Sequence, residues 1–133
     1  MKQAGCNEVD KSMNKMEEFN YTVEQFADLQ LLRYKVYGFE ELSLKQKELI
    51  YYLSQAALQG RDILFDQNGK YNLLIRKMLE TVYTEYQGDR TDVNFVNLET
   101  YLKRIWFSNG IHHHYASDKF VPGFTPEFLR DAL

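Results

Sequence analysis

The sequence predicts a mainly α-helical domain of four to five helices with one short extended segment. Apolar residues recur at spacings of three and four along most of the chain, which is the period of an amphipathic helix. Helix-start signals precede several of these stretches, whereas runs rich in β-branched residues are scarce. The chain has 133 residues, 44% of them hydrophobic and 26% charged, which is typical of one globular domain with a core.

Charge and hydrophobicity argue against two classes of partner. The net charge of −3 provides no basic field that would attract nucleic acid or anionic lipid. No apolar run approaches the ~20 residues that a membrane-spanning helix needs. Aromatic residues make up 15% of the chain, which suits a filled core or a surface that contacts peptide or sugar.

Residues 1–21 are polar and aperiodic, and we interpret them as a flexible leader before a helical segment over residues 22–133. Ala4 and Gly5 directly precede Cys6, the single cysteine, as at the end of a bacterial lipoprotein signal. The apolar region that should come before such a cysteine is absent. Either the true start lies upstream, with a lipid anchor at Cys6 and a place in the cell envelope or periplasm, or Cys6 is a thiol in a cytoplasmic tail.

The first three elements are predicted from local patterns. The segment from Thr22 to Gln25 has the pattern of a capping box, which predicts a short helix that begins here and continues through Phe26. Residues 29–39 favour an extended run that ends at Gly38. A second capping box, from Ser43 to Gln46, predicts a helix to about residue 66 with Gly60 inside it. Its expected buried face comprises Leu49, Leu53, Ala56, Ala57 and Leu64.

Three more helices are predicted after the Asn68-Gly69 turn. The first covers residues 71–86, with Tyr71, Leu74, Met78, Val82 and Tyr86 facing the core and Arg76, Lys77, Glu80 and Glu85 facing water. The second is capped by Asp92, ends at Asn109-Gly110 with a left-handed residue, and buries Phe95, Leu98, Leu102, Ile105 and Trp106. The third begins with Thr125 as N-cap and Pro126 in the first turn, and its apolar Leu129 and Leu133 predict a continuation of the chain.

The triplet from His112 to His114 is the most conspicuous chemical feature. Adjacent residues point in different directions, and zinc sites use spaced ligands, so the triplet does not predict a metal site. Ser108 lacks the surrounding glycines and the orienting acid of a serine nucleophile. We therefore predict no catalytic or metal residue, and the imidazoles are either exposed or contact a substrate.

Three segments together resemble the N-terminal part of the dipeptidyl-peptidase III family, most closely its Bacteroides-type members. They are LSLKQKELIYYLSQAALQGRDILFDQNGKYN, ETYLKRIWFSNGIHHHY and DKFVPGF, between Leu42 and Phe124. The resemblance implies a two-lobed α/β zinc exopeptidase that releases dipeptides from peptide N-termini. The zinc-binding H-E-x-x-G-H and E-E-x-R-A-D type motifs of that family are absent from this chain.

By this resemblance the chain is part of the lower lobe, inactive alone, whose partners are the remainder of the enzyme and an oligopeptide substrate. The zinc belongs to the full-length family. A Ser-Phe pair on the cleft wall of eukaryotic members falls on His114 and Tyr115, which are the expected substrate-binding residues. The alternative is a stand-alone helical module that binds peptides or other partners, with or without a lipid anchor at Cys6.

Overall fold

The computed structural model describes residues 19–133, so the leader up to residue 18 and Cys6 lie outside the described part. The predicted mainly α fold is confirmed, with a two-stranded antiparallel sheet as its extended part. The elements are β1 (Thr22–Phe26), β2 (Leu29–Leu32), a 3-10 turn (Phe39–Glu41), α1 (Leu44–Gln59), α2 (Arg61–Asn68), α3 (Asn72–Glu85), α4 (Val93–Ser108) and α5 (Pro126–Asp131). No helix within this range has the length and apolar character needed to cross a membrane.

The core lies between α2, α3 and α4. Its buried hydrophobic residues are Phe65, Leu79, Val82, Phe95, Leu98, Tyr101, Leu102 and Ile105. The stripe predicted on α4 is confirmed except at Trp106, which stays partly exposed. The indole nitrogen of Trp106 donates a hydrogen bond to Glu80 Oε1 at 2.7 Å, which explains why the ring remains at the edge of the core.

The orientation predicted for α3 is wrong in its first half. Tyr71 and Leu74 are exposed, whereas Arg76, expected on the wet side, is only 7% exposed. Arg76 donates to Asp62 on α2 at 2.6 Å, and its guanidinium lies 4.5 Å from the centre of the Phe65 ring. The pairing and the aromatic contact offset the cost of removing this charge from water.

The capping box that begins α1 is confirmed. Gln46 N donates to Ser43 Oγ at 3.4 Å, and Ser43 N donates to Gln46 Oε1 at 2.9 Å. The predicted continuous helix to residue 66 is wrong, because α1 ends at Gln59 and α2 begins at Arg61, with Gly60 between them. The predicted apolar face is also wrong: Leu49 is 58% and Leu53 is 59% exposed, and α1 buries no residue against the rest of residues 19–133.

The helix predicted from Thr22 is wrong, because this segment is strand β1. Thr22 Oγ1 accepts a hydrogen bond from Gln30 Nε2 on β2 at 3.0 Å instead of capping a backbone N–H of its own segment. Ala27, with φ of 49°, makes the tight reversal between the strands. The extended run predicted from Leu29 is confirmed over β2.

The ends of α4 and α5 follow the predictions. Asp92 accepts from Asn94 N at 2.8 Å, and Asn109 closes α4 with a left-handed φ of 53°. The Thr125 hydroxyl accepts from Phe128 N at 3.2 Å. The loop over residues 109–125 is therefore bounded by two well-defined helix ends.

Candidate functional site

The loop between α4 and α5 folds back on itself and carries all three histidines. Phe120 N donates to Ile111 O at 2.8 Å, and His113 N donates to Asp118 O at 2.8 Å. Between these two bonds, His112 pairs with Lys119 in a one-residue antiparallel bridge. The residues between His113 and Asp118 therefore project as the tip of a short hairpin.

A turn at this tip presents the two predicted substrate-binding residues. Ala116 N donates to His113 O at 3.2 Å, so His114 and Tyr115 occupy the two central positions of the turn. Tyr115 N donates to His113 Nδ1 at 3.2 Å, which holds the His113 ring beneath the turn. Tyr115 is 89% exposed, whereas His114 is half-buried with its ring 5.0 Å from that of Phe107, edge to face.

Asparagine side chains fix the beginning of the loop. Asn68 Nδ2 donates to Asn109 O at 3.2 Å, and Asn72 Oδ1 accepts from Ile111 N at 3.3 Å. A Cβ atom at Gly110 would overlap the Asn72 amide, so the absence of a side chain there permits this close approach. The ends of α2 and α3 thus determine where the hairpin starts.

A second pair of asparagines, both on α4, fixes the end of the loop. Asn97 Nδ2 donates to Gly123 O at 2.7 Å, and Asn94 Oδ1 accepts from Thr125 N at 3.2 Å. Next to Gly123, the Phe124 ring packs edge-on against Tyr101 at 5.7 Å. Burial raises the pKa of the Tyr101 hydroxyl.

A cleft of about 580 Å³ lies beside the turn. Its lining residues are Asn68, Asn72, Ser108, Gly110, the three histidines, Tyr115, Ala116 and Ser117. None of them is an Asp, Glu, Lys or Arg, so the cleft offers neutral hydrogen-bonding groups and imidazoles. Three polar atoms of this lining are buried without a hydrogen-bond partner among residues 19–133: Asn72 Nδ2, Ser108 Oγ and His114 Nδ1.

The histidine triplet does not provide a zinc ligand set. His113 Nδ1 is occupied by the backbone of Tyr115, and the His113 and His114 rings stack with centres 4.4 Å apart. Across the described range, no group of three His, Cys, Asp or Glu side chains is arranged to hold a metal ion. Residues 19–133 therefore do not fit the zinc of the family that the sequence resembles.

The structure places His114 and Tyr115, the predicted substrate-binding residues, in the cleft lining, where their role stays a prediction, and it adds groups around them that the sequence did not indicate. Asn68 was interpreted only as part of a turn, and Asn72, Asn94 and Asn97 carried no recognisable signal. The signal in the sequence that could have indicated these contacts was the occurrence of asparagines near helix ends together with glycines in the connecting segments. Comparison of the chain with protein-family models gives no match, and comparison with the curated proteins gives none either.

Proposed function

We propose that residues 22–133 form one wall of the peptide cleft of a dipeptidyl-peptidase III-like zinc exopeptidase. In this proposal the zinc and its ligands belong to sequence outside this chain, and the chain alone has no activity. The observation that carries the proposal is the placement of His114 and Tyr115 on a turn beside an open cleft. It is supported by the three segments of sequence resemblance.

The chemistry of the turn suits a peptide ligand. Tyr115 provides an exposed ring with a hydroxyl group, which contacts both the apolar and the polar parts of a peptide. His114 provides an imidazole that either donates or accepts a hydrogen bond. Because the asparagine contacts fix both ends of the loop, only the turn between them has to adjust its backbone when a peptide binds.

The exposed side of α1 supports the place of this chain in a larger enzyme. Its exposed large hydrophobic residues are Leu44, Leu49, Ile50, Tyr51, Tyr52, Leu53 and Leu58. Exposed apolar patches of this kind mark surfaces that another protein or domain covers. We propose that the remainder of the enzyme packs against α1.

Peptide binding by the isolated chain tests the site. We expect tetra-alanine to shift the backbone amide resonances of residues 112–117 in a titration followed by NMR. Tyr115→Ala should weaken this binding, whereas Val121→Ala, an equally exposed position of the same loop outside the cleft lining, should not. Shifts spread over the chain without a maximum at the turn would contradict the proposal.

Activity provides a separate test of the zinc assignment. We expect no release of dipeptides when zinc is added to this chain, because its described residues contain no zinc ligand set. Stoichiometric zinc binding with turnover of a dipeptidyl substrate would overturn that part of the proposal.

The alternative function is a stand-alone helical module that binds peptides, lipid-anchored or not. It is favoured by the continuous core of α2, α3 and α4, which already buries its central residues. Analytical ultracentrifugation and a denaturant melt distinguish the two. A stable monomer with a steep transition supports the module, and self-association supports a partner surface on α1. Mass spectrometry of protein expressed from its native locus tests lipidation of Cys6.

A further inference from the structure

The cleft contains more unpartnered hydrogen-bonding capacity than any other part of the described chain. Of the five buried side-chain atoms without a partner among residues 19–133, three line this cleft and two belong to Arg76. The Arg76 side chain already pairs with Asp62 and Glu80, whereas Ser108 Oγ and His114 Nδ1 have no such compensation. An unpaired buried polar group raises the free energy of the free protein, so a ligand that pairs with it gains affinity.

Of the three unpartnered atoms in the cleft lining, Asn72 Nδ2 is the one whose missing partner is most narrowly defined. Its side chain is anchored through Oδ1, which accepts from Ile111 N, so the identity of the remaining atom as Nδ2 is fixed by the hydrogen bond. The residue is only 3% exposed and lines the cleft. An amide nitrogen can only donate, so the missing partner of Asn72 is an acceptor.

The other two unpartnered atoms also need a ligand group of defined hydrogen-bonding type. Ser108 Oγ donates through a hydroxyl group that rotates freely, and His114 Nδ1 accepts in one tautomer. Two donors and one acceptor match a segment of peptide backbone, which offers carbonyl oxygens and N–H groups. The lining has no carboxylate to hold an ammonium group and no lysine or arginine to hold a carboxylate.

On the basis of the proposed function, we propose that this cleft binds the neutral peptide backbone of the ligand and not its charged terminus. Asn72 and Ser108 donate to carbonyl oxygens of that backbone, and His114 accepts from one of its N–H groups. All three atoms are shielded from solvent, so the ligand reaches them when the turn from His113 to Ala116 shifts outward. Only a few local hydrogen bonds hold this turn, and Tyr115 at its tip is exposed to solvent.

The test compares tetra-alanine with the same peptide acetylated at its N-terminus and amidated at its C-terminus. Titration of the full chain should give dissociation constants within about threefold of each other, because loss of a hydrogen bond to a charged group costs about tenfold or more. Binding of free tetra-alanine without binding of the blocked peptide would overturn this inference and leave the proposed function standing. Absence of binding by either peptide would overturn both.

The variant Ser108→Ala tests the donor directly. We expect its dissociation constant for the blocked peptide to rise about fivefold, the loss of one neutral hydrogen bond. Its midpoint of denaturant unfolding should rise, because an unpaired buried hydroxyl is removed. Ser54→Ala, at an exposed serine on α1 outside the cleft lining, is the matched control and should leave the affinity unchanged. Unchanged affinity or a lower midpoint for Ser108→Ala would contradict the assignment.

Discussion

Arg76 and Asp62 form a hydrogen-bonded ion pair between α3 and α2, with 2.6 Å between Nη2 and Oδ1. The arginine side chain is buried, whereas that of the aspartate is half exposed. Asp62 also lies 3.3 Å from Lys77 Nζ. A surface carboxylate on the short helix α2, together with Glu80 on α3 itself, therefore compensates a guanidinium that lies within the core.

Removing this carboxylate should destabilise the fold. We expect Asp62→Asn to lower the midpoint of denaturant unfolding, because the Arg76 charge stays buried after its principal partner is lost. Asp66→Asn is the matched control, since this exposed residue lies one turn later on the same helix. Equal midpoints for the two variants would show that the pair contributes no stability.

The same pair predicts a dependence of stability on pH. The hydrogen bond from Arg76, and then that from Lys77, lower the pKa of Asp62. A carboxylate with a lowered pKa contributes stability above its unfolded pKa of about 3.9 and loses it as the pH falls through the lower folded value. We expect the difference in midpoint between the wild type and Asp62→Asn to be constant near neutral pH and to shrink below about pH 4. A difference that persists into strong acid would contradict this origin.

Close packing at Gly110 predicts a large effect of adding one methyl group. In Gly110→Ala the new Cβ would overlap the Asn72 amide, so Asn72 must move and its bond to Ile111 is lost. We expect a loss of about 1–3 kcal/mol in the free energy of unfolding. Gly60→Ala is the control, because Gly60 has a helical φ of −78° and a Cβ there would meet only Ala57 O, at an ordinary contact distance of 3.4 Å. It should stabilise the protein by up to about 1 kcal/mol.

The exposed face of α1 predicts self-association of the isolated chain. We expect the weight-average mass in sedimentation experiments to increase with concentration, and Leu49→Gln with Leu53→Gln to reduce this increase. Both leucines are more than half exposed, so their replacement should leave the midpoint of unfolding unchanged within about 0.5 kcal/mol. A double variant that associates as strongly as the wild type would place the contact elsewhere.

The success of the sequence-based predictions differed between elements for physical reasons. The stripe from Phe95 to Ile105 was predictable because every apolar position on that face is buried against α2 and α3. On α3 the same reasoning failed at Arg76, because its partner Asp62 belongs to another helix and sequence periodicity does not reveal such pairs. At Thr22 a capping pattern occurred by chance within a strand whose partner fixes its conformation.

Within the candidate site, only His114 and Tyr115 were predicted, from the resemblance to the dipeptidyl-peptidase III family, and their role in binding stays a prediction. The roles of Asn72 and Ser108 depend on contacts between α3, α4 and the loop, which bring residues 39 positions apart together. Single-sequence patterns describe neighbours along the chain and contain no information on such contacts.

The four asparagines that hold the histidine loop carry no charge at any pH, and added salt does not screen their hydrogen bonds as it screens ion pairs. The ends of the loop should therefore stay in place when acidity or ionic strength changes, even where the Asp62–Arg76 pair weakens. Any change in ligand affinity with pH or salt then reports on the imidazoles or on the ligand itself. Ligand binding by this loop should therefore not depend on the ion pair that stabilises the helices against which the loop packs.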